Sequence, residues 1–301
     1  MNTAEGVASA SSGHDADEVA VLVTGFGPFL NNSTNPSWLI ASTLPAHLPA
    51  SPTSHPSTPR INILVPPRPI RVAYRAVLAT MPAFLASTYA AADVVLHIGL
   101  ASGRSFYTLE SRAHRDGYRA RDVDGEGWRD EDSWARWGAA GLPEVLASGF
   151  DCADVWRRWR EAVDRVEMEG GEGAGAGAGA GAGEAGGEEG KSGLDVRPSD
   201  DAGRFLCDFI YYTSLAWFAD RSAKEEEEEE EGEEEDGGQD GTDPNRATIG
   251  NKPLERPVAF LHVPDLPTED DVEKGRQVTI ALIRALVESR RVTIEKRRSG
   301  Q

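Results

Sequence analysis

The stretch VAVLVTGFGPF, Val19–Phe29, joins a short apolar run to a glycine turn. An apolar run of this length, closed by Gly25, reads as a buried first strand. The pattern recurs along the chain. Ile61 to Val65 and Asp93 to Gly99 (DVVLHIG) are further strands, and Ser105 to Ala113 is a fourth. Between them, Trp38 to Leu48, entered through the Asn35, Pro36, Ser37 turn, and a segment near Val72 to Met81 read as helices. A proline-rich loop follows the first of these. Beyond a tryptophan-rich loop come a helix at Asp151 to Val166, a short strand at Leu194 to Arg197, a helix at Ser199 to Phe218, a last strand at Pro257 to Val263 and a last helix at Glu269 to Arg290. Strand and helix alternate, which predicts an α/β layered domain.

Charge marks out the parts that do not belong to this core. The chain has 301 residues and a net charge of −19. Fourteen acidic and two basic residues fall within 220–245, and five acidic and one basic within 169–191. The remainder is nearly neutral, which argues against a nucleic-acid surface built on excess basic charge. The expected organisation is a disordered tail over 1–18, one α/β domain over 19–291 and a basic tail over 292–301. A Gly/Ala/Glu-rich insert at 169–193 and an acidic insert at 220–255 interrupt the domain. Some 220 residues then remain, enough for a single domain.

Two cysteines without CxxC spacing cannot form a disulfide framework or a zinc site of the usual kind. They predict a reducing, cytoplasmic location. The polar, acidic first eighteen residues lack a basic and an apolar leader region, and no apolar run is long enough to span a membrane.

Four features could carry chemistry. GFGPFL, Gly25 to Leu30, has two of the three glycines of a dinucleotide fingerprint, but Leu30 stands where the third belongs and Pro28 removes a backbone donor. Phe26 and Phe29 on that turn could instead form an apolar clamp for a small flat ligand, or simply pack in the core. Cys207 lies on the flank of the helix stripe Leu206, Phe209, Ile210, Thr213 and Trp217, with Ser199 or Asp200 as cap. A lone cysteine so placed is either a small core residue or a nucleophile activated by the unpaired N–H groups of an early helical turn. His262 ends an apolar strand, where a satisfied core histidine is the commoner case. Glu110 in FYTLESRAH reads alone as a surface charge, and His97 as structural. Together, Cys207, His262 and Glu110 supply the thiol, imidazole and carboxylate that acyl transfer by a cysteine requires.

The blocks VTGFGPFLNNSTNPSW, IGLASGRSFYTLESRAHRDGY, DDAGRFLCDFIYYTSL and AFLHVPDLP, in this order and spacing, resemble the pyroglutamyl peptidase I family of cysteine peptidases, particularly its eukaryotic branch. The resemblance implies a single α/β domain with a twisted, mixed central sheet flanked by helices on both faces, and no cofactor. It implies Cys207 as nucleophile, His262 as base and acid, Glu110 as the group orienting His262, and Phe26 and Phe29 as the aromatic pair around a pyroglutamate ring. Leu100 and Gly27 depart from the bacterial and archaeal pattern, which has a glutamine and an acidic residue there.

The implied substrates are small peptides bearing N-terminal pyroglutamate; neither nucleic acid nor membrane is expected as a partner. Three other readings stay open at this point. They are a non-catalytic binding protein on the same fold, an amidase of different specificity, and an interaction protein using its acidic run. Both inserts are expected at the pole opposite the catalytic group, because Phe218 would lie roughly 16 Å along its helix from Cys207.

Overall fold

The computed structural model describes residues 18–29, 33–51, 58–171, 194–235 and 256–299. All of the expected tail at 1–18 except Glu18, and the greater part of both expected inserts, 172–193 and 236–255, lie outside the described residues.

Nine strands form among them: β1 (Glu18–Gly25), β2 (His47–Leu48), β3 (Arg60–Leu64), β4 (Val94–Leu100), β5 (Tyr107–Glu110), β6 (Arg112–His114), β7 (Val145–Ala147), β8 (Val196–Ser199) and β9 (Val258–Val263). Seven of them make one sheet in the order β2-β3-β1-β4-β9-β5-β8, while β6 and β7 pair separately. The strands β3, β1, β4 and β9 run parallel; β5 is antiparallel to β9 and parallel to β8. The sheet is therefore mixed.

Helices cover both faces, as the uninterrupted apolar strands require. On one side lie α1 (Pro36–Thr43), α4 (Cys152–Gly171) and α6 (Glu269–Arg298), packed on Val21, Val23, Leu96, Ile98 and Leu261. Trp159 of α4 is buried there and donates its indole N–H to the Val278 carbonyl of α6 at 2.9 Å. The other side is built by α2 (Tyr74–Ala83) and α5 (Leu206–Glu235) over Leu22, Val95, Val258 and Phe260. Each fully buried Leu, Ile, Val or Phe on these faces contributes about 1.5–3 kcal/mol.

Several expected boundaries move, each for a visible reason. The helix α1 starts at Pro36, capped by Asn35, which accepts from Ser37 N at 3.1 Å, and it stops at Thr43 before Pro45. The stretch Ser105 to Ala113 is not one strand: after Glu110 the chain leaves the main sheet, and β6 pairs with β7. The tryptophan-rich loop holds β7, the short helix α3 (Asp130–Ser133) and a π-helical turn over Trp134–Gly138. The helix α6 continues through the expected basic tail to Arg298. Its Thr268–Asp271 capping box and acidic first turn, and Lys296, Arg297 and Arg298 in its last turn, complement the helix dipole at both ends.

The helix α5 differs most from expectation. It begins at Leu206 instead of near Ser199, because Ser199 is paired in β8 and Gly203 takes φ +84°, and its first i to i−4 bond runs from Phe209 N to Phe205 O. It also runs on to Glu235, well into the expected acidic insert, as a glutamate-rich sequence with good helix propensity permits. Its first half is buried around nearly the whole circumference, Tyr211, Tyr212, Ser214 and Leu215 included, so the expected one-sided stripe is too narrow.

The point at which the chain re-enters the sheet after residue 193 also differs from expectation. Val196 is the register partner of Tyr107, one position before Thr108, which pairs with His262. Because β8 runs opposite to β9, Leu194 and Asp195 enter the sheet at the edge that carries His262. The expected opposite pole would need β8 to run the other way.

Candidate active site

The site is assembled from the face of the sheet under α5. Along β9, Ala259, Leu261 and Val263 pack on the α1, α4 and α6 side, so alternation turns Phe260 and His262 toward α5. The antiparallel register sets Thr108 opposite His262 and Glu110 opposite Phe260. Glu110 then reaches its diagonal neighbour, a distance long side chains span. Its Oε1 lies 2.8 Å from His262 Nδ1, across 152 residues of sequence.

Glu110 is completely buried, so the expected surface charge is absent and the carboxylate needs partners. Oε1 also accepts from Thr108 Oγ1 at 3.0 Å and from Arg104 Nη1 at 3.5 Å. Burial alone would raise the Glu110 carboxyl. The hydrogen bond and charge of His262, with hydroxyls of Ser199 and Thr108, outweigh it and hold Glu110 below the usual carboxylate range. An ionised Glu110 can only accept, so Nδ1 of His262 carries the shared proton and Nε2 is left free to act as a base.

Cys207 approaches the same face from above. It is the second residue of α5, ahead of the helix's first i to i−4 bond, where the N–H groups lack intrahelical acceptors. Directly beneath it is Gly99, the β4 register partner of His262. A Cβ at Gly99 would stand 2.8 Å from Cys207 Sγ and 2.7 Å from the Phe260 ring, so the bare glycine makes room for the thiol. Cys207 thus lies over Gly99, whose register partner is His262, with no hydrogen bond between Cys207 and His262 among the described residues. Burial, with the negative charges of Asp208 and Glu110, pushes the Cys207 thiol up to about 12. The cysteine is not a standing thiolate here and needs a base to take its proton.

The aromatic pair divides. Phe26 is buried in the core beneath α2 and α5, while the part-exposed Phe29 packs on Phe205, ring centroids 5.1 Å apart, two residues before Cys207. The turn carrying them is pinned by the cap of α1: Ser37 Oγ accepts from Phe26 N at 3.0 Å and Asn35 Nδ2 donates to Gly27 O at 3.1 Å. Gly25 is obligatory, since a Cβ there would lie 2.5 Å from the Ser37 carbonyl oxygen. Gly27 is not, because a Cβ would meet only Pro69 and Ile70 at ordinary contact distance. Leu100 ends β4 as the partner of Val263.

His97, read as structural, is fully buried between Thr24 Oγ1 at 2.7 Å and Ser214 Oγ at 2.9 Å. Four residues that bear on the site were not anticipated: Gly99, Arg104, Thr108 and Phe205. Thr108 could have been found from strand alternation, lying two residues from Glu110, and Gly99 from the rule that a glycine in a strand marks a close approach. Arg104 and Phe205 lie on loops, where periodicity carries no signal.

A cysteine in a first helical turn, beside a histidine hydrogen-bonded to a buried carboxylate on an α/β sheet, has the make-up of a cysteine hydrolase site. Residues 19–140 match the family model for pyroglutamyl peptidase. The chain is 29% identical over 209 residues to the pyroglutamyl-peptidase 1 proteins of mouse and human, covering 68% of this chain and 76% of each relative. A variant of pyrrolidone carboxyl peptidase from Pyrococcus furiosus has the same fold at 18% identity and a TM-score of 0.57, covering 90% of this chain and 99% of that one. The pyroglutamyl peptidase I structure from Bacillus amyloliquefaciens matches at 20% identity and a TM-score of 0.52, covering 90% of this chain and 95% of that one. The chain is thus similar to pyroglutamyl peptidases in sequence over part of its length, and it shares the fold of the solved pyrrolidone carboxyl peptidases. The family-model match ends before α4, so Cys207 and His262 lie beyond it.

Proposed function

We propose that the protein is a cysteine peptidase that removes N-terminal pyroglutamate from peptides, with Cys207 as nucleophile, His262 as general base and acid, and Glu110 holding His262. The observation that carries the assignment is the buried 2.8 Å contact between Glu110 Oε1 and His262 Nδ1, on the sheet face that Cys207 meets across Gly99. In this reading the Cys207 proton passes to His262 Nε2 as Sγ attacks the carbonyl that joins the lactam residue to the next amino acid. The imidazolium formed is stabilised by Glu110 and donates its proton to the departing amine. Water, deprotonated by the same nitrogen, then hydrolyses the thioester. N–H groups at the start of α5 serve as oxyanion donors, worth about 3 kcal/mol for one well-placed group.

Pyroglutamate is flat and uncharged, which suits a pocket walled by Phe29 and Phe205, with Phe26 beneath. A free charged amino terminus would lose hydration there. The domain boundaries at 19 and 291 are part of this reading, with α6 running seven residues beyond the second. So is a cytoplasmic location, supported by two free cysteines. Among the described residues no helix is long and apolar enough to cross a membrane.

The test is release of a chromophore from a pyroglutamyl amide by the wild type and by Cys207→Ser, compared with prolyl and free glutaminyl amides. Release from the pyroglutamyl amide alone, abolished in Cys207→Ser, is expected. Equal release by both proteins, or none from the pyroglutamyl amide, would overturn the assignment.

A further inference from the structure

Resting on that reading of the site, we propose that Arg104 is a positioning residue: it directs the Thr108 hydroxyl onto Glu110 Oε1 and supplies the fixed positive charge that balances the carboxylates around Cys207. Arg104 Nη1 donates to Thr108 Oγ1 at 2.9 Å, and Thr108 Oγ1 lies 3.0 Å from Glu110 Oε1. A threonine hydroxyl has one proton. With its oxygen accepting from a guanidinium, that proton is left to point at the carboxylate. Oε1 is the same atom that meets His262, so the chain Arg104, Thr108, Glu110, His262 converges on the oxygen that fixes the imidazole.

The loop holding Arg104 is itself built for this. Ala101 N is bonded to Val263 O at 2.9 Å, and Gly103, at φ +83°, donates its N–H to Asp265 Oδ2 at 2.8 Å. Ser102 Oγ donates to the same carboxylate. The turn from β4 to β5 is thereby fastened to the segment following β9. Arg104 is carried over the end of the strand that bears His262.

The charge count around the thiol shows what Arg104 adds. Facing it are Glu110 from β5, Asp208 from α5 and His262 from β9. Behind Asp208 stand His114 of β6, whose Nδ1 is 3.5 Å from Asp208, and Arg204, 3.7 Å away but also held by Asp201 and the Gly203 carbonyl. Asp208 and Glu110 both oppose ionisation of Cys207, and Arg104 favours it. A guanidinium stays charged at every working pH. Arg104 is one-third exposed, so its replacement need not open a hole in the core.

The experiment is the pH dependence of Cys207 alkylation by iodoacetamide, with kcat and KM for a pyroglutamyl amide, in wild type, Arg104→Gln, Arg104→Lys and Thr108→Val. Arg104→Gln is expected to move the alkylation profile up by about 0.5–1 pH unit and to lower kcat about 10- to 100-fold with little change in KM. Arg104→Lys, which keeps the charge but not the planar fork, is expected to hold the profile near wild type and to recover part of kcat. Thr108→Val is expected to lower kcat while leaving the profile in place. An Arg104→Gln profile that coincides with wild type overturns the proposal, whatever its melting temperature. So does an Arg104→Lys profile displaced as far as that of Arg104→Gln. If the wild type releases nothing from the pyroglutamyl amide, the functional assignment fails, while the alkylation profiles still decide the role of Arg104.

Discussion

Two histidines lie on adjacent strands beneath the same helix, His97 on β4 and His262 on β9. His97 is enclosed by two hydroxyls, and burial lowers it to about 3, so it is neutral in the folded protein at ordinary pH. His262 shares one nitrogen, Nδ1, with a carboxylate, and its other nitrogen takes no part in that bond. The ring is the same and both are buried. The difference lies in the partners: hydroxyls satisfy an imidazole and silence it, whereas a carboxylate fixes its tautomer and would stabilise the charge it acquires in the proposed reaction.

The largest effect that separates the two should come from removing each ring. His262→Ala is expected to lower kcat by ~10³-fold or more. His97→Gln should leave kcat within about threefold, because it never meets the reacting groups. Comparable losses in both, measured on folded protein, would break the distinction. Next, Glu110→Gln should cost about 10²- to 10⁴-fold in kcat by presenting a neutral group that can stabilise the wrong tautomer. An activity near wild type would mean that the carboxylate charge is dispensable.

Gly99→Ala is smaller in effect but sharper in meaning. The new methyl would stand 2.7 Å from the Phe260 ring and 2.8 Å from Cys207 Sγ, so the thiol or the ring must shift. A loss of about 1–3 kcal/mol in denaturant-measured stability is expected, with about tenfold lower activity. Unchanged stability and kcat would show that the thiol does not sit over Gly99.

The last effect concerns acid stability and leaves activity at neutral pH untouched. His97 is lowered in the folded state, so the unfolded chain binds its proton first as pH falls. Stability should therefore decline from about pH 6.5 toward about pH 3, by at most about 1.4 kcal/mol per unit for this one group. His97→Gln should remove that slope over pH 4–6.5. Glu110 acts in the same direction lower down, because its depressed carboxyl contributes stability above its unfolded value that is lost as pH falls through the folded one. A variant with the wild-type slope above pH 4.5 would refute the assignment to His97.

The alternation of apolar runs and helices made the layered α/β class legible, and the order of four blocks pointed to Cys207, His262 and Glu110. The residues that make those three into a site were harder to see. Glu110 reads as a surface charge because its burial comes from β9 and β8, strands far away in sequence. The start of α5 is not legible, because Ser199 is as good a cap in sequence as it is a strand residue in the sheet. The direction of β5 and β8 cannot be read from periodicity at all, since alternation looks the same either way. That single unknown decides at which edge Leu194 enters the sheet.

The position of β9 has a consequence for how the protein comes into being. It is the last strand in the chain, yet it lies between β4 and β5 and alone joins β2-β3-β1-β4 to β5-β8. Until residues 258–263 have left the ribosome, the two halves of the sheet have no bond between them and Glu110 has no imidazole to hold. A nascent or truncated chain therefore lacks the buried Glu110–His262 pair, and closing the sheet around its final strand is a long-range, slow step.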